Sequence, residues 1–269
     1  MAARRPATSR RAPLDSAAGA HDPARTEFPI TPTSVSAHSS TVENYIKQIY
    51  LEAQKDTRER VPMKRLAEGM GVSPGTATAM VKTLARSGLI DYAPRDGSRL
   101  TAEGEQLALN VLRRHRLVEA FLVEVLKLDW SEVHGEAELL EHAISDKVLE
   151  KIDALMGRPR VDPHGDPIPT DRGEIDDTRF ETLAQRATGD RLRIVRVVDQ
   201  DARFLRFAER HGLVPGAELA IDRHDTEADA VTISAAAGTS VTLGVGAAAK
   251  IMVEALQSAD DGGGAVTDG

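Results

Sequence analysis

The sequence predicts a mostly helical fold with small β parts, and the β content lies toward the C-terminal end. Three observations support this fold class. Residues 41–102 show a helix, helix, turn, helix and hairpin order, residues 103–158 carry apolar residues at helical spacing, and residues 189–254 contain five short β-type runs. Together they predict three compact parts of the chain, each with its own hydrophobic core.

Residues 41–102 are predicted to form a winged helix-turn-helix domain. Pro74 follows Ser73, a pairing typical of a helix N-terminus, and Gly88 suits the position just after a helix end. The predicted elements are a helix from Thr41, helices over 63–70 and 74–87, and strands over 89–93 and 98–101. A helix-turn-helix followed by a hairpin is a common DNA-binding arrangement.

The following segment, 103–158, is predicted to be helical, with helices over 102–126, 131–146 and 147–156. Residues 159–188 are rich in Pro, Asp and Arg and are predicted as an extended linker. The β-type runs of 189–254 are short and closely spaced, which is typical of a small β-barrel. Residues 1–40 and 255–269 lack apolar periodicity and are predicted to be disordered tails.

Composition narrows the class of protein. The chain has 269 residues, a net charge of −8, 41% hydrophobic residues and no Cys. Without Cys it can form neither disulfides nor thiolate metal sites. No stretch approaches the ~20 apolar residues that span a membrane, so a cytoplasmic protein with no membrane partner is expected. Residues 41–102 hold ten Lys and Arg against seven Asp and Glu, which makes this domain locally basic.

Metal-binding side chains follow directly after the predicted DNA-binding domain. His134, Glu138, Glu141 and His142 have the spacing i, i+4, i+7 and i+8, which in one helix spans an arc of roughly 100°. On the preceding helix, His115 and Glu119 are likewise i, i+4 neighbours. Imidazole and carboxylate together suit a first-row divalent cation. The alternative is a solvated polar face, but exposed faces usually mix charges and this arc has no Lys or Arg.

The predicted recognition helix begins with small residues that allow close approach to DNA. The residues predicted to contact DNA are Ser73, Gly75, Thr76, Thr78 and Lys82 on this helix, and Arg95 and Arg99 in the wing. A protein-interaction wing is the alternative. The excess of basic residues over 62–86 favours DNA.

Several segments carry a resemblance to the diphtheria-toxin-repressor family of metal-dependent regulators. They are TVENYIKQIY at 41–50, LAEGMGVSPGTATAMVKTLARSGLI at 66–90, LTAEGE at 100–105, RHRLVEAFL at 114–122, VHGEAELLEH at 133–142 and HGDPIP at 164–169. Residues 189–254 resemble the SH3-like, FeoA-type domain found in that family. The β-barrel is therefore expected to be SH3-like.

The resemblance implies two metal sites. The first, here called the regulatory set, consists of Asn44, Glu138, Glu141 and His142. The second, the ancillary set, consists of His115, Glu119 and His134. One further ancillary ligand is expected from Asp199, Gln200 or Asp201. His164 is interpreted as structural. Because Lys47 stands where some short relatives have a Glu ligand, a closely spaced pair of metal ions is not expected.

The resemblance further implies a dimeric, metal-activated repressor that binds a palindromic operator in double-stranded DNA. Glu138 stands where iron-type members have Cys, and an oxygen ligand favours Mn²⁺, with Fe²⁺ as the second choice. Two other classes of protein are the alternatives. A metal hydrolase is disfavoured because the sequence has no HExxH motif, and an accessory module of metal uptake rests on the FeoA-type domain alone. The chain is therefore expected not to be an enzyme.

Overall fold

The computed structural model describes residues 38–55, 59–235, 238 and 240–256. The predicted disordered tails fall outside these residues except at 38–40 and 255–256. There the prediction is wrong, because Ser39 caps the first helix and Ala255 ends the last strand. The helices are α1 Ser40–Gln54, α2 Met63–Gly69, α3 Pro74–Arg86, α4 Ala102–Glu124, α5 Val133–Leu140, α6 Asp146–Leu155, α7 Ala202–Arg210 and α8 Val245–Ala248. The strands are β1 Ile90–Ala93, β2 Gly97–Leu100, β3 Glu181–Thr182, β4 Arg191–Val197, β5 Glu218–Asp225, β6 Ala230–Ala235, β7 Ser240–Gly244 and β8 Ile251–Ala255.

The N-terminal part is a winged helix-turn-helix, as predicted. Ser73 caps α3 by accepting a hydrogen bond from the Thr76 amide at 3.2 Å, and Pro74 occupies the first turn. The wing is the antiparallel pair β1–β2. Among the described residues from α1 to α4, fifteen buried apolar residues form one core beneath these elements, with Ile46, Ile49 and Leu66 completely buried. The recognition helix is therefore held on a packed base.

The central helix α4 connects the wing to the metal-binding region. It packs against α1, α5 and α6. Near its start, Gly104 lies so close to the wing that an added Cβ would stand 2.0 Å from the carbonyl oxygen of Leu89. Only glycine permits this close contact, and the contact fixes the position of the start of α4 against the hairpin.

The helix predicted over 131–146 is shorter than expected. It ends at Leu140, and residues 141–143 form a turn before Ser145 caps α6. Arg114 on α4 donates a hydrogen bond to the carbonyl oxygen of Ile144 at 2.6 Å, which satisfies a backbone group at the break. His142 consequently lies beyond the helix, and the expectation of four ligands on one continuous helical arc is wrong.

The C-terminal part is an antiparallel six-stranded sheet in the order β3-β8-β4-β5-β6-β7. Within the described residues no ladder joins β7 to β3, so the sheet does not close into a barrel. Three elements were not predicted, namely β3, α7 and the short helix α8. Strand β3 lies within the stretch expected to be linker and pairs with β8, and α7 begins where Asp201 accepts hydrogen bonds from the amides of Arg203 and Phe204. None of the described helices is long and apolar enough to cross a membrane.

Candidate metal centre and DNA-binding surface

Three helices bring the predicted metal ligands together. Helix α4 carries His115 and Glu119 one turn apart, α5 carries His134 and Glu138 one turn apart, and α1 carries Asn44. Helix α4 packs on both α1 and α5, so side chains about 90 residues apart in sequence meet at one place. The side chains of Glu119 and Glu141 are fully buried, which is rare for carboxylates without a strong partner.

The ancillary set is compact. The Nε2 atom of His115 lies 3.0 Å from Oε1 of Glu119 and 3.2 Å from Nδ1 of His134. That nitrogen of His134 is also 3.2 Å from the same Glu119 oxygen. Three donor atoms therefore converge within hydrogen-bonding distance of one another. Two imidazoles and a carboxylate form a donor set that fits a first-row divalent cation.

The regulatory set is partly assembled. The Nε2 atom of His142 lies 2.7 Å from Oδ1 of Asn44 and 3.3 Å from Oε1 of Glu141. Glu138 is half-buried and forms an ion pair with Lys47, and its ligand atom lies within 4.8 Å of those of Glu141 and His115. One amide oxygen, two carboxylates and one imidazole nitrogen would suit a divalent cation that prefers oxygen ligands.

Two side chains on α1 belong to this cluster, of which Lys47 was predicted only as a replacement for a ligand and Glu43 was missed. The Nζ atom of Lys47 lies 2.8 Å from Oε1 of Glu138 and 2.7 Å from Oε1 of Glu141. Glu43 holds the other nitrogen of His142, with 2.5 Å between its Oε2 and Nδ1. A carboxylate on the far nitrogen orients a ligating imidazole, so Glu43 positions His142. Glu43 lies in the first turn of α1, and its local sequence gave no signal for this role.

Glu141 connects the two sets. Its Oε2 atom lies 2.6 Å from Nδ1 of His115, and its Oε1 faces Lys47 and His142. Burial alone would lower the pKa of His115, but hydrogen bonds to Glu119 and Glu141 raise it to about 9. Burial would raise the pKa of Glu141, but His115 and Lys47 bring it below its ordinary value. Positively and negatively charged side chains therefore alternate through the two sets.

A third cluster lies behind Glu119 and was also missed. Glu119, Asp162 and His164 offer ligand atoms within 4.8 Å of one another. All three are buried, and Oε2 of Glu119, Oδ2 of Asp162 and Nδ1 of His164 lack a hydrogen-bond partner. The opposite nitrogen of His164 donates a hydrogen bond to the carbonyl oxygen of Trp130 at 3.0 Å. These three ligand atoms without hydrogen-bond partners could hold a cation. The motif DPH at 162–164 was the available signal.

The residues expected to complete the ancillary set are engaged elsewhere. Asp199 forms an ion pair with Lys250, and Asp201 caps α7. Neither belongs to a group of converging ligand atoms among the described residues.

The residues predicted to contact DNA are accessible. All seven are exposed except Thr78, which is half-buried and donates its hydroxyl hydrogen to the carbonyl oxygen of Pro74 at 2.7 Å. Arg95 stands at the tip of the wing with φ of 74°. Arg99 is paired with Glu59 and with Asp91, the latter at 3.0 Å, so it must leave these carboxylates to contact a phosphate.

Comparison with known proteins agrees with this arrangement. The family "Iron dependent repressor, N-terminal DNA binding domain" matches residues 38–98, "Iron dependent repressor, metal binding and dimerisation domain" matches 101–170, and "FeoA domain" matches 181–255. The iron-dependent repressor IdeR of Mycobacterium tuberculosis H37Rv is 32% identical over 76% of this chain and 92% of its own.

Solved structures give the same result. A manganese-dependent transcriptional repressor in complex with manganese is 38% identical, with a TM-score of 0.74 over 80% of this chain and all of that one. The manganese regulator SloR is 34% identical, with a TM-score of 0.65 over 80% of this chain and 98% of its own.

A winged helix-turn-helix joined to a helical domain with clustered metal ligands defines the class as a metal-dependent transcriptional repressor. The chain belongs to the iron-dependent repressor family, which includes the diphtheria toxin repressor. This membership confirms the resemblance, the mostly helical fold class and the expectation that the chain is not an enzyme.

Proposed function

We propose that this protein is a dimeric repressor that binds its operator when a divalent metal, with Mn²⁺ favoured, occupies the regulatory set. The observation that supports this most strongly is the convergence of α1 and the α5 region at that set. Asn44 belongs to the helix that packs in the DNA-binding core, whereas Glu138 lies on α5, and Glu141 and His142 directly follow that helix. A metal bound by both fixes one relative to the other, and this is how occupancy would reach the recognition helix.

The donor atoms favour manganese over softer ions. Asn44, Glu138 and Glu141 supply oxygen, and His142 supplies the only nitrogen that we assign to the regulatory set. Hard oxygen ligands suit Mn²⁺, whereas a thiolate would favour softer ions. An iron-responsive repressor is the second candidate, since the relatives include iron-dependent repressors at 32% identity. We assign His115, Glu119 and His134 to a supporting metal site.

The DNA-binding role rests on the exposed start of α3 and on the wing. Ser73, Gly75, Thr76 and Thr78 would approach base edges and phosphates, and Lys82, Arg95 and Arg99 would contact the backbone. A two-fold symmetric dimer would read a palindromic operator. Exposed apolar side chains on α5 and α6 would supply the dimer contact, namely Leu139, Leu140, Val148 and Leu155.

We infer that each part of the chain has its own role. Residues 41–102 would bind DNA and 103–158 would bind metal and dimerise. The connecting segment would end before β3, because β3 pairs with β8 and so belongs to the FeoA-type domain. The protein would act in the cytoplasm, where its operator is accessible.

A DNA-binding assay across a panel of divalent metals tests this function. An operator is first selected from random duplexes in the presence of Mn²⁺, and its affinity is then measured with each metal and with chelator. We expect saturating Mn²⁺ to raise DNA affinity at least tenfold, which is about 1.4 kcal/mol of coupling. Equal affinity with metal and with chelator would contradict the repressor mechanism. If Fe²⁺ raised DNA affinity and Mn²⁺ did not, iron would replace manganese as the proposed activating metal.

A further inference from the structure

We propose that Lys47 is a resident cation of the regulatory set, which neutralises its carboxylates when no metal is bound and competes with the incoming metal for Glu141. This inference rests on the proposed metal-binding role of that set. It gives Lys47 a function of its own: it sets the metal concentration at which the protein responds.

The geometry of the ion pairs supports this role. The ammonium group lies 2.7 Å from Glu141 and 2.8 Å from Glu138, so one cation bridges two carboxylates. The side chain of Lys47 is only 7% exposed and that of Glu141 is fully buried. A pair this dry is screened little by solvent, unlike the surface pairs of the same chain. Lys47 and the two carboxylates are 91 and 94 residues apart in sequence, so the contact joins α1 to the α5 region.

The oxygen atoms involved make Lys47 a direct competitor. Glu141 has two oxygens, of which Oε2 is engaged by His115 and Oε1 by Lys47. The Oε1 atom is also the one that faces His142, at 3.3 Å. A metal shared by Glu141 and His142 must therefore bind the oxygen that Lys47 occupies. Divalent cations approach oxygen ligands to roughly 2.0–2.6 Å, so the ammonium group has to withdraw when the metal binds.

Two consequences follow from the removal of this cation. Without Lys47, a metal no longer has to displace a positive charge, so its affinity for the regulatory set rises. At the same time the metal-free protein loses the partner of a buried carboxylate, which destabilises the fold until a metal replaces it. A purely structural salt bridge predicts the second effect without the first.

The test is a Mn²⁺ titration of the full chain in the absence of DNA, followed by electron paramagnetic resonance. All proteins carry His134→Ala, which weakens the ancillary set, and the comparison of parent with Lys47 variants isolates the change at the regulatory set. Lys47→Met removes the charge and keeps the length of the side chain, and Lys47→Arg keeps the charge. The matched control is Lys55→Met, which removes a 61% exposed lysine from the C-terminal end of α1, where it pairs with Glu52.

We expect Lys47→Met to bind Mn²⁺ at least tenfold more tightly than its parent, and Lys47→Arg and Lys55→Met to stay within threefold. The metal-free Lys47→Met protein should also melt several degrees lower, and Mn²⁺ should restore it. If Lys47→Met folds only with metal, Lys47→Gln, which keeps a hydrogen-bond donor, replaces it in the titration.

An unchanged Mn²⁺ affinity in the neutral variant overturns the proposal, whatever the melting temperature does. An equal rise in Lys55→Met also overturns it, because the effect would then be one of net charge. Since no DNA is present, these failures leave the repressor function standing. Conversely, a protein with the expected rise and no metal-dependent DNA binding would overturn the proposed function and keep the role of Lys47.

Discussion

Glu141 belongs to the regulatory set and contacts His115 of the ancillary set, yet the donor atoms of the two sets are arranged differently. In the ancillary set, atoms of His115, Glu119 and His134 already lie within 3.2 Å of one another. In the regulatory set, the carboxylates face Lys47, and His142 is held between α1 side chains. The first set can accept a metal by releasing a proton, whereas the second must exchange partners that belong to α1. A set whose partners lie on the DNA-binding side is the one suited to carry a signal.

The largest effect is expected from removal of Glu141, the residue that links the two sets. We predict that Glu141→Ala lowers the Mn²⁺-dependent rise in DNA affinity from at least tenfold to less than twofold, because the metal loses a ligand and His115 loses a partner. Fluorescence anisotropy with operator DNA measures this. Glu136→Ala changes an exposed carboxylate of α5 and serves as the control. Full activation of the Glu141 variant would mean that the polar cluster is not the regulatory site.

The two sets are separated by comparing one histidine from each. His142→Ala should abolish activation, since His142 is the nitrogen donor next to Asn44. His115→Ala should weaken activation only about threefold to tenfold, because its set does not touch the partners on α1. Circular dichroism must first show that both variants are folded. Activation lost more completely in the His115 variant would reverse the roles of the two sets.

A pH titration sharpens the contrast. The pKa of His115 is about 9 because its hydrogen bonds to Glu119 and Glu141 outweigh burial. The imidazole is therefore protonated at neutral pH, and metal binding must release that proton. Mn²⁺ affinity should rise with pH up to about 9, with close to one proton released per ancillary site at pH 7.5. Calorimetry in two buffers of different ionisation enthalpy measures the release. The same release from His115→Ala would exclude this assignment.

The raised pKa of His115 has the opposite effect on the stability of the metal-free protein, which should fall as pH rises. A histidine whose pKa is raised in the folded state stabilises the fold fully below its ordinary value of about 6.5. This contribution is lost as pH rises through about 9. The metal-free protein should therefore lose on the order of 1–3 kcal/mol of stability across this window relative to His115→Ala. Denaturant unfolding at both ends of the window checks it.

The smallest expected effect concerns metal preference within the regulatory set. Glu138→Cys should shift activation from Mn²⁺ toward Fe²⁺, Co²⁺ or Ni²⁺, because thiolate favours softer ions. DNA affinity of the metal-free variant should not change. The measurement is the free metal concentration that gives half-maximal DNA binding, taken for each ion. A profile equal to that of the parent would mean that Glu138 does not set selectivity.

The helices of the N-terminal half were predictable because their signals are local. Ser73 and Pro74 mark the start of α3, and apolar spacing marks α4. The end of α5 was not predictable, because the break depends on Arg114 from another helix. Helix α7 was missed because Asp201 was considered as a ligand, whereas it acts as a helix cap.

The candidate site, like the helices, was predictable where its signals are local in sequence. His115 and Glu119, like His134 and Glu138, were found because one helical turn separates each pair. Lys47 and Glu43 were not assigned to the site, because their partners lie more than 90 residues away in sequence. The cluster of Asp162, His164 and Glu119 joins a loop to a helix, and no periodic pattern connects those positions.

The most direct test of the central idea is the affinity of Mn²⁺ measured with and without operator DNA. If metal at the regulatory set and DNA at α3 act on one equilibrium, each must strengthen the other by the same factor. We predict that saturating operator raises Mn²⁺ affinity at least tenfold, and that this factor equals the rise in DNA affinity caused by Mn²⁺. An Mn²⁺ affinity that does not change when operator is added would contradict the coupling between α1 and the regulatory set.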